Sequence, residues 1–276
     1  MPRLPRASTV AAVSTVLSPP GVGGLLRVWR QRRRLSQLDL ALSAEVSARH
    51  LSFVETGRST PSRELVLHLA ERLGVPLRDR NSLLLAAGYA RVYGHTALEA
   101  GEMGPVRAAL DKIVNGHEPF PAVVFDRRWE LITANAPALE IITAGAANDL
   151  ITPPVNVLRL SLHPDGLAKR IVNFGQWAEH LLDRLDRQIA VSPAPDLVAL
   201  AAELRSYPGV GNASGLDDLA GRLFVPLVLR HGGSELRLFS TVATFGTALD
   251  ITVAELAIES FFPGDAATTA ILTGHS

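Results

Sequence analysis

The chain has no cysteine among its 276 residues, so neither disulfides nor thiolate metal ligands can hold it together. That suits a reducing compartment, and a cytoplasmic location is expected. Lysine is scarce: Lys112 and Lys169 are the only two among 27 basic residues, and the formal net charge is zero. No stretch reaches the roughly 18 to 20 apolar residues needed to cross a bilayer, so no membrane partner is expected. The apolar run after Arg3 and Arg6 is short, is interrupted by Ser14 and Thr15, and ends at Pro19 and Pro20. Residues 1–20 therefore read as a flexible N-terminal arm rather than a signal segment. Phosphate-cradling loops of the GxGxxG or Walker type are missing, and AGEMG at Ala100–Gly104 has the wrong spacing. Nor is there an HExxH pattern; His180, preceded by Glu179, is an isolated pair in an amphipathic segment. His163, Asp165 and Ser161 crowd one turn but have no triad geometry. Neither an enzymatic activity nor a cofactor is expected.

What is present begins with enough apolar residues, 47%, to bury a substantial core, and enough length for two domains. The zero net charge hides a division. Residues 1–95 carry 14 arginines against six acidic residues, or +8; residues 96–276 carry 13 basic against 21 acidic residues, or −8. The first part is suited to a polyanion, and the second to another ligand or subunit.

The segment Leu35–Pro61, LSQLDLALSAEVSARHLSFVETGRSTP, encodes two short helices. Ser36 can cap the first, opened by Gln37, with Leu38, Ala41, Leu42 and Val46 expected along its inner side. Ser47 can cap the second, Ala48–Glu55, with Leu51 and Val54 inward. A tight turn at Ala44–Val46 joins them, and Gly57 ends the pair. Such a unit offers the start of its second helix to the major groove, where Arg49 could donate two hydrogen bonds to guanine. Gln37 is expected at a phosphate, and Arg58 beside the opposite backbone. Arg30 is expected to face Glu55 and tie the preceding helix to the end of the second.

This segment closely resembles the Cro/C1-type, lambda-repressor-like (XRE) helix-turn-helix family, through LSQLDLA, VS, LSFVETG and Pro61. The resemblance implies that Gln37 touches phosphate, that Ala48 and Arg49 face bases, and that Ser52 and Phe53 line the same groove. Glu45 departs from the pattern, standing where the family commonly has glycine; a left-handed backbone there is costlier for Glu. Ala48 could meet only a thymine methyl, which leaves base readout to Arg49. Around this pair, Gly23–Arg34 reads as a helix with Leu25, Leu26 and Trp29 inward. SRELVLHLAERLGV follows, burying Leu65, Leu69 and Leu73 and stopping at Gly74, and then a helix after Pro76. An all-α, five-helix, lambda-repressor-like DNA-binding domain over residues 21–95 is the expected fold.

From about Leu98 the pattern changes. A helix is expected near Met103–Val114, strands at Ala122–Phe125 and Trp129–Ala134, and a helix after Asn135. Val157–Leu162 is short and apolar, and a long helix is expected over about Leu167–Arg187. Leu197–Arg205 follows Pro193 and Pro195. Strands are then expected at Leu223–Leu229 and Leu236–Thr244, with a last helix around Val253–Ile258 before FFPGD. An α+β domain over residues 96–276, with an antiparallel sheet and helices on one face, is the natural product.

The strings FDRRWELITANAPA, NVLRLSLHPDGL, RIVNFGQWAEHLL, ELRSYPG, FSTVATFGTALDITVAEL and ESFFPGDAAT resemble the MmyB-like ligand-binding domain of actinobacterial and related regulators. That resemblance implies a PAS-like fold and a small-molecule ligand, with fatty acids among those suggested. Gly264 stands where the family commonly has alanine. Candidate pocket residues are Trp129, Asn135, Phe174, Trp177, Phe239, Phe245 and Phe262, with Asn135, Arg159 and His163 as polar anchors, the last two for a carboxylate. Together the two parts describe a dimeric regulator on a near-palindromic double-stranded DNA operator, with half-sites ~34 Å apart, switched by a small apolar or fatty-acid-like molecule. One alternative is an adaptor whose acidic part binds a protein, such as RNA polymerase, and no metabolite. Another is an unregulated chromosome-associated binder.

Overall fold

The computed structural model describes residues 21–211 and 225–274. The expected arm at residues 1–20 and the start of the strand expected from Leu223 lie outside the described residues. Contacts divide the chain into two compact units: residues up to Val75 with Ser82–Ala90, and Pro76–Asn81 with the chain from Arg91.

The first unit is helical among its described residues: α1 Val22–Arg32, α2 Gln37–Ser43, α3 Ala48–Glu55, α4 Arg63–Arg72 and α5 Leu77–Ala86, the last divided between the units. Serines cap α2, α3 and α4: the side chains of Ser36, Ser47 and Ser62 accept from the backbone N–H groups of Asp39, His50 and Leu65. At α2 the cap is reciprocal, since Asp39 also accepts from the Ser36 N–H. Leu26, Leu40, Leu51, Val66, Leu69, Leu73, Leu83 and Leu84 form the core. In α4 it is Val66, Leu69 and Ala70 that are buried, while Leu65 is half-buried. Gly23 lets α1 lie against the end of α3, because a Cβ there would sit 2.1 Å from the Val54 carbonyl oxygen.

The inner face of α2 differs from expectation. Leu38 and Leu42 are 58% and 70% exposed, and the i, i+3, i+4, i+7 stripe that faces inward is Gln37, Leu40, Ala41 and Ala44. A polar residue leads that stripe because its amide donates to buried Glu55, a partner that a hydrophobic pattern does not reveal.

The second unit is built on a five-stranded antiparallel sheet in the order β2-β1-β5-β4-β3. The strands are β1 Ala122–Phe125, β2 Leu131–Ala134, β3 Leu227–His231, β4 Ser234–Thr244 and β5 Ala257–Pro263. The helices among the described residues are α6 Gly104–Asn115, α7 Ala136–Thr143, α8 Asn148–Ile151, α9 Val157–Leu162, α10 Phe174–Val191, α11 Pro195–Arg205, α12 Ile251–Ala254 and α13 Ala266–Thr273. Alternation along the strands sends side chains to two cores. Val123, Phe125, Leu236 and Leu238 pack with α7, α9, α10 and α11, while Ala122, Val124 and Ile258 pack with Leu110 and Val114 of α6. Helices thus lie on both faces of the sheet rather than on one.

Two other expectations are corrected. The long helix starts at Phe174 and runs to Val191, not Leu167–Arg187. Before it, Ile171 bridges to Leu229 and the Val172 N–H donates to the Val228 carbonyl, so these residues extend the sheet edge. Asn173 closes that junction, with its side chain bonded to Pro226 O and Val228 N. The helix expected around Val253–Ile258 is α12, which ends at Ala254 and is not the last, since α13 follows; Ala257–Pro263, part of which was read as helix, is the central strand. A charged residue, Glu259, in its middle and a proline at its end disguise it, and both are tolerated: Glu259 is paired by Arg184 and Pro263 is the last residue of the strand.

Candidate functional site

In the first unit, the helix-turn-helix is fastened at the end of α3. Arg30 of α1 donates to Glu55 through Nε at 2.7 Å and Nη2 at 2.8 Å, and through Nη1 to the Leu35 carbonyl at 2.8 Å. Gln37 Nε2 donates to the same carboxylate at 2.8 Å. Burial alone pushes the Glu55 carboxyl up, but the bonds from Arg30 and Gln37 outweigh it and hold it below the ordinary carboxylate range. The expected Arg30–Glu55 pair is therefore present. Gln37 has one amide hydrogen committed to Glu55, and its NH2 carries a second. Glu45 adopts φ 53°, so the turn keeps the left-handed backbone despite the departure from glycine, and Gly57 does the same at φ 73°.

The outer surface of α3 carries Arg49, which is exposed, with its guanidinium 5.4 Å from the centroid of the Phe53 ring one turn on. That contact holds the arginine along the helix at little cost to its donors. Ala48, Ser52 and Phe53 are half-buried and Arg58 is exposed. The outer surface of α3 is thus that of a short capped helix with an exposed arginine, Arg49, near its start.

In the second unit, a cavity of ≈ 90 Å³ lies between the sheet and helices α7, α9 and α10. Trp129, Trp177, Phe125, Leu160, Phe261 and Glu259 are among its lining residues. Trp129 sits at φ 64° at the end of the β1–β2 turn, where Asp126 accepts from the N–H groups of Arg128 and Glu130 through its side chain and from Trp129 through its carbonyl. Burial raises the Asp126 carboxyl above its ordinary value in spite of those bonds. The Trp129 indole stacks on Phe125 with centroids 4.9 Å apart, donates to Gln188 Oε1 at 2.8 Å, and has the Arg184 guanidinium 5.0 Å from its centroid. Trp177 donates to Ser161 Oγ at 3.0 Å. Its neighbour His180 is held below its usual pKa, chiefly by burial and then by Arg184.

Of the nine candidate pocket residues, the structure brings Trp129 and Trp177 together at this cavity. The other seven lie elsewhere. Asn135 is buried, but all its capacity is structural: its oxygen accepts from Ala122 N and Ala138 N, and its amide donates to Val114 O and Phe120 O. Arg159 is held by Glu203 through two bonds of 2.8 and 2.7 Å, and His163 meets Tyr207 edge-on. Phe174 packs near Gly209, and Phe245 belongs to the α6 side of the sheet. Phe239 and Phe262 stack on each other at 5.3 Å, with His117 beside Phe262. One-residue parity explains the last pair: on β5 the chain places Ala257 and Phe261 with the cavity-side core, and Phe262 on the opposite face. Sequence reasoning missed Glu259 and Phe261; the alternation of AIESFFP, read as a strand, would have found both.

Two comparisons decide the family. A model of the MmyB-like transcription regulator ligand binding domain matches residues 106–273, more than half of the chain, and a helix-turn-helix domain model matches residues 22–83. The chain belongs to the MmyB-like transcription regulators. It is a DNA-binding regulator and not an enzyme, with its helix-turn-helix on α2 and α3 and the MmyB-like domain built on the sheet. A search of curated proteins found no relative matching this MmyB-like chain. Among the described residues, no helix is long and apolar enough to cross a membrane, and no cluster of three metal-ligating side chains occurs.

Proposed function

We propose that this regulator binds a near-palindromic operator as a dimer, reads bases chiefly through Arg49, and takes a small apolar effector into the cavity beside Trp129 and Trp177. Phosphate contacts are assigned to Gln37 and Arg58, and the rest of the reading surface to Ala48, Ser52 and Phe53. The observation that carries the effector assignment is the cavity itself, walled almost wholly by apolar and aromatic side chains on the face of the sheet that α10 covers. An engineered apolar void costs stability, so a retained one is a site for a ligand's apolar body. A filled core would instead have favoured the adaptor reading.

Occupancy alters DNA binding only if the effector prefers one arrangement of the regulator over another. A coupling of ~1–3 kcal/mol, a five- to 150-fold change in operator affinity, is the ordinary scale. Native mass spectrometry of the protein as purified tests the first step. A co-purified molecule of a few hundred daltons or less, displaced when 1-octanol is added, is the expected result. A protein with no bound mass, and no change in indole emission on adding 1-octanol, would return the reading to the adaptor.

A further inference from the structure

Among the described residues the cavity wall has one charged group, and its sign is opposite to what an acid-binding pocket needs. Glu259 lines the cavity from the middle of the central strand and is only 5% exposed. Arg184 Nη1 donates to both of its oxygens, at 3.1 Å to Oε1 and 3.0 Å to Oε2, and Ser240 Oγ donates to Oε1 at 2.7 Å. A carboxylate offers about four acceptor positions. Oε1 thus takes two donors and Oε2 one, which leaves Oε2 able to accept one more.

No cation is among the described residues that line the cavity. Arg184 is engaged with Glu259 and lies by the Trp129 ring, and Arg159 is committed to Glu203. Ser161, the other polar lining residue, accepts the Trp177 indole N–H and keeps its own proton for an oxygen. A ligand carboxylate would therefore meet a buried carboxylate with no free cation among the described lining residues to offset it, in surroundings that screen charge poorly. A neutral hydroxyl could donate to Glu259 and accept as well.

We infer that the effector, if the cavity reading above holds, is an apolar molecule ending in a neutral hydrogen-bond donor such as a hydroxyl, selected by Glu259, and not a fatty acid. The proposal rests on that reading but specifies the polar end, which can fail separately.

The test uses the full chain and three eight-carbon probes at about pH 7, where the acid is ionised. These are 1-octanol, its isomer 1-methoxyheptane, which has an ether oxygen and no donor, and octanoate. Binding is followed by indole emission, since Trp129 and Trp177 both line the cavity. A hydrogen bond to a charged group supports an alcohol preference over the ether of about tenfold or more. Octanoate should be weaker than both. In Glu259→Gln the amide can donate to an ether oxygen, so the alcohol-to-ether ratio should fall to within about threefold. Ser240→Ala keeps the Arg184 pair and should keep the preference. Should Glu259→Gln fail to fold, the wild-type ratio and Ser240→Ala still decide. Equal affinity for alcohol and ether, or octanoate binding as tightly as octanol, overturns the assignment of the polar end while leaving the cavity reading standing. If none of the three probes changes the emission, the cavity reading falls and takes this inference with it.

Discussion

Replacing Glu55 with alanine would strand a guanidinium inside the helix-turn-helix unit. The Glu55 side chain is 1% exposed and that of Arg30 10%, and the carboxylate also holds Gln37. Removing one partner of a buried pair costs ~3–5 kcal/mol. Arg30 keeps its bond to the Leu35 carbonyl and a little exposure, so the lower end, about 3 kcal/mol, is expected here. A unit of this size is stable by only about 3–10 kcal/mol, so the loss removes a large share of the total. The midpoint should fall by about 12–24 °C. Hydrogen exchange of peptides from α1 and α3 in the full chain, read across a urea series, isolates this transition from that of the second unit. The double variant Arg30→Met, Glu55→Leu should recover most of the loss, because an apolar pair of similar volume needs no charge compensation. The same pair sets a pH dependence. The folded Glu55 carboxyl is held below its unfolded value of about 4.3, so its contribution is complete above that value and disappears as pH falls through the folded one. Wild type should therefore lose more stability on acidification than the double variant. A cost under about 1 kcal/mol for Glu55→Ala, or a double variant as unstable as the single one, would refute the view that this pair is buried and essential.

Three further outcomes follow from local geometry. Arg49→Ala should weaken operator binding by ~1–3 kcal/mol and leave random-DNA affinity nearly unchanged, measured by fluorescence anisotropy on both DNAs; equal loss on both would remove its base-reading role. Glu45→Gly relieves a left-handed backbone at φ 53° by more than the added freedom of the unfolded glycine costs, and should raise stability by up to about 1 kcal/mol in thermal unfolding; a lowered melting temperature would show that Glu45 is not strained there. Gly23→Ala places a methyl 2.1 Å from the Val54 carbonyl oxygen and should destabilise the α1–α3 contact by more than 2 kcal/mol. An unchanged melting temperature would mean that the two helices separate freely.

The helix-turn-helix was legible because its signals are local: serine caps, a three-residue turn, and a glycine exit whose φ the sequence names outright. The buried stripe of α2 was not, because Gln37 is inward only by virtue of Glu55, 18 residues away. In the second unit, the β1–β2 hairpin and the helix after Asn135 were readable from FDRRWELITAN for the same local reason, while the capping role of Asn135 itself was missed in favour of a pocket role. The central strand was not, since the pairing that defines it is with β1 and β4 and its middle residue is a glutamate satisfied across the fold by Arg184. The pocket suffered from that miss. Aromatic residues were the right material, but which face of β5 each one occupies depends on strand parity, and reading part of β5 as helix discards parity. Arg159 and His163 had the chemistry for a carboxylate; their partners, Glu203 and Tyr207, come from elsewhere in the chain and take them out of play.

The claim that most needs testing is that filling the cavity changes DNA binding. Operator fragments selected from genomic DNA by the full-length protein, labelled for anisotropy, allow the affinity to be measured with and without saturating 1-octanol while indole emission reports occupancy in the same sample. A change in operator affinity of about fivefold or more, in step with the emission, is the expected result. Emission that reports full occupancy while operator affinity stays within about twofold would contradict it.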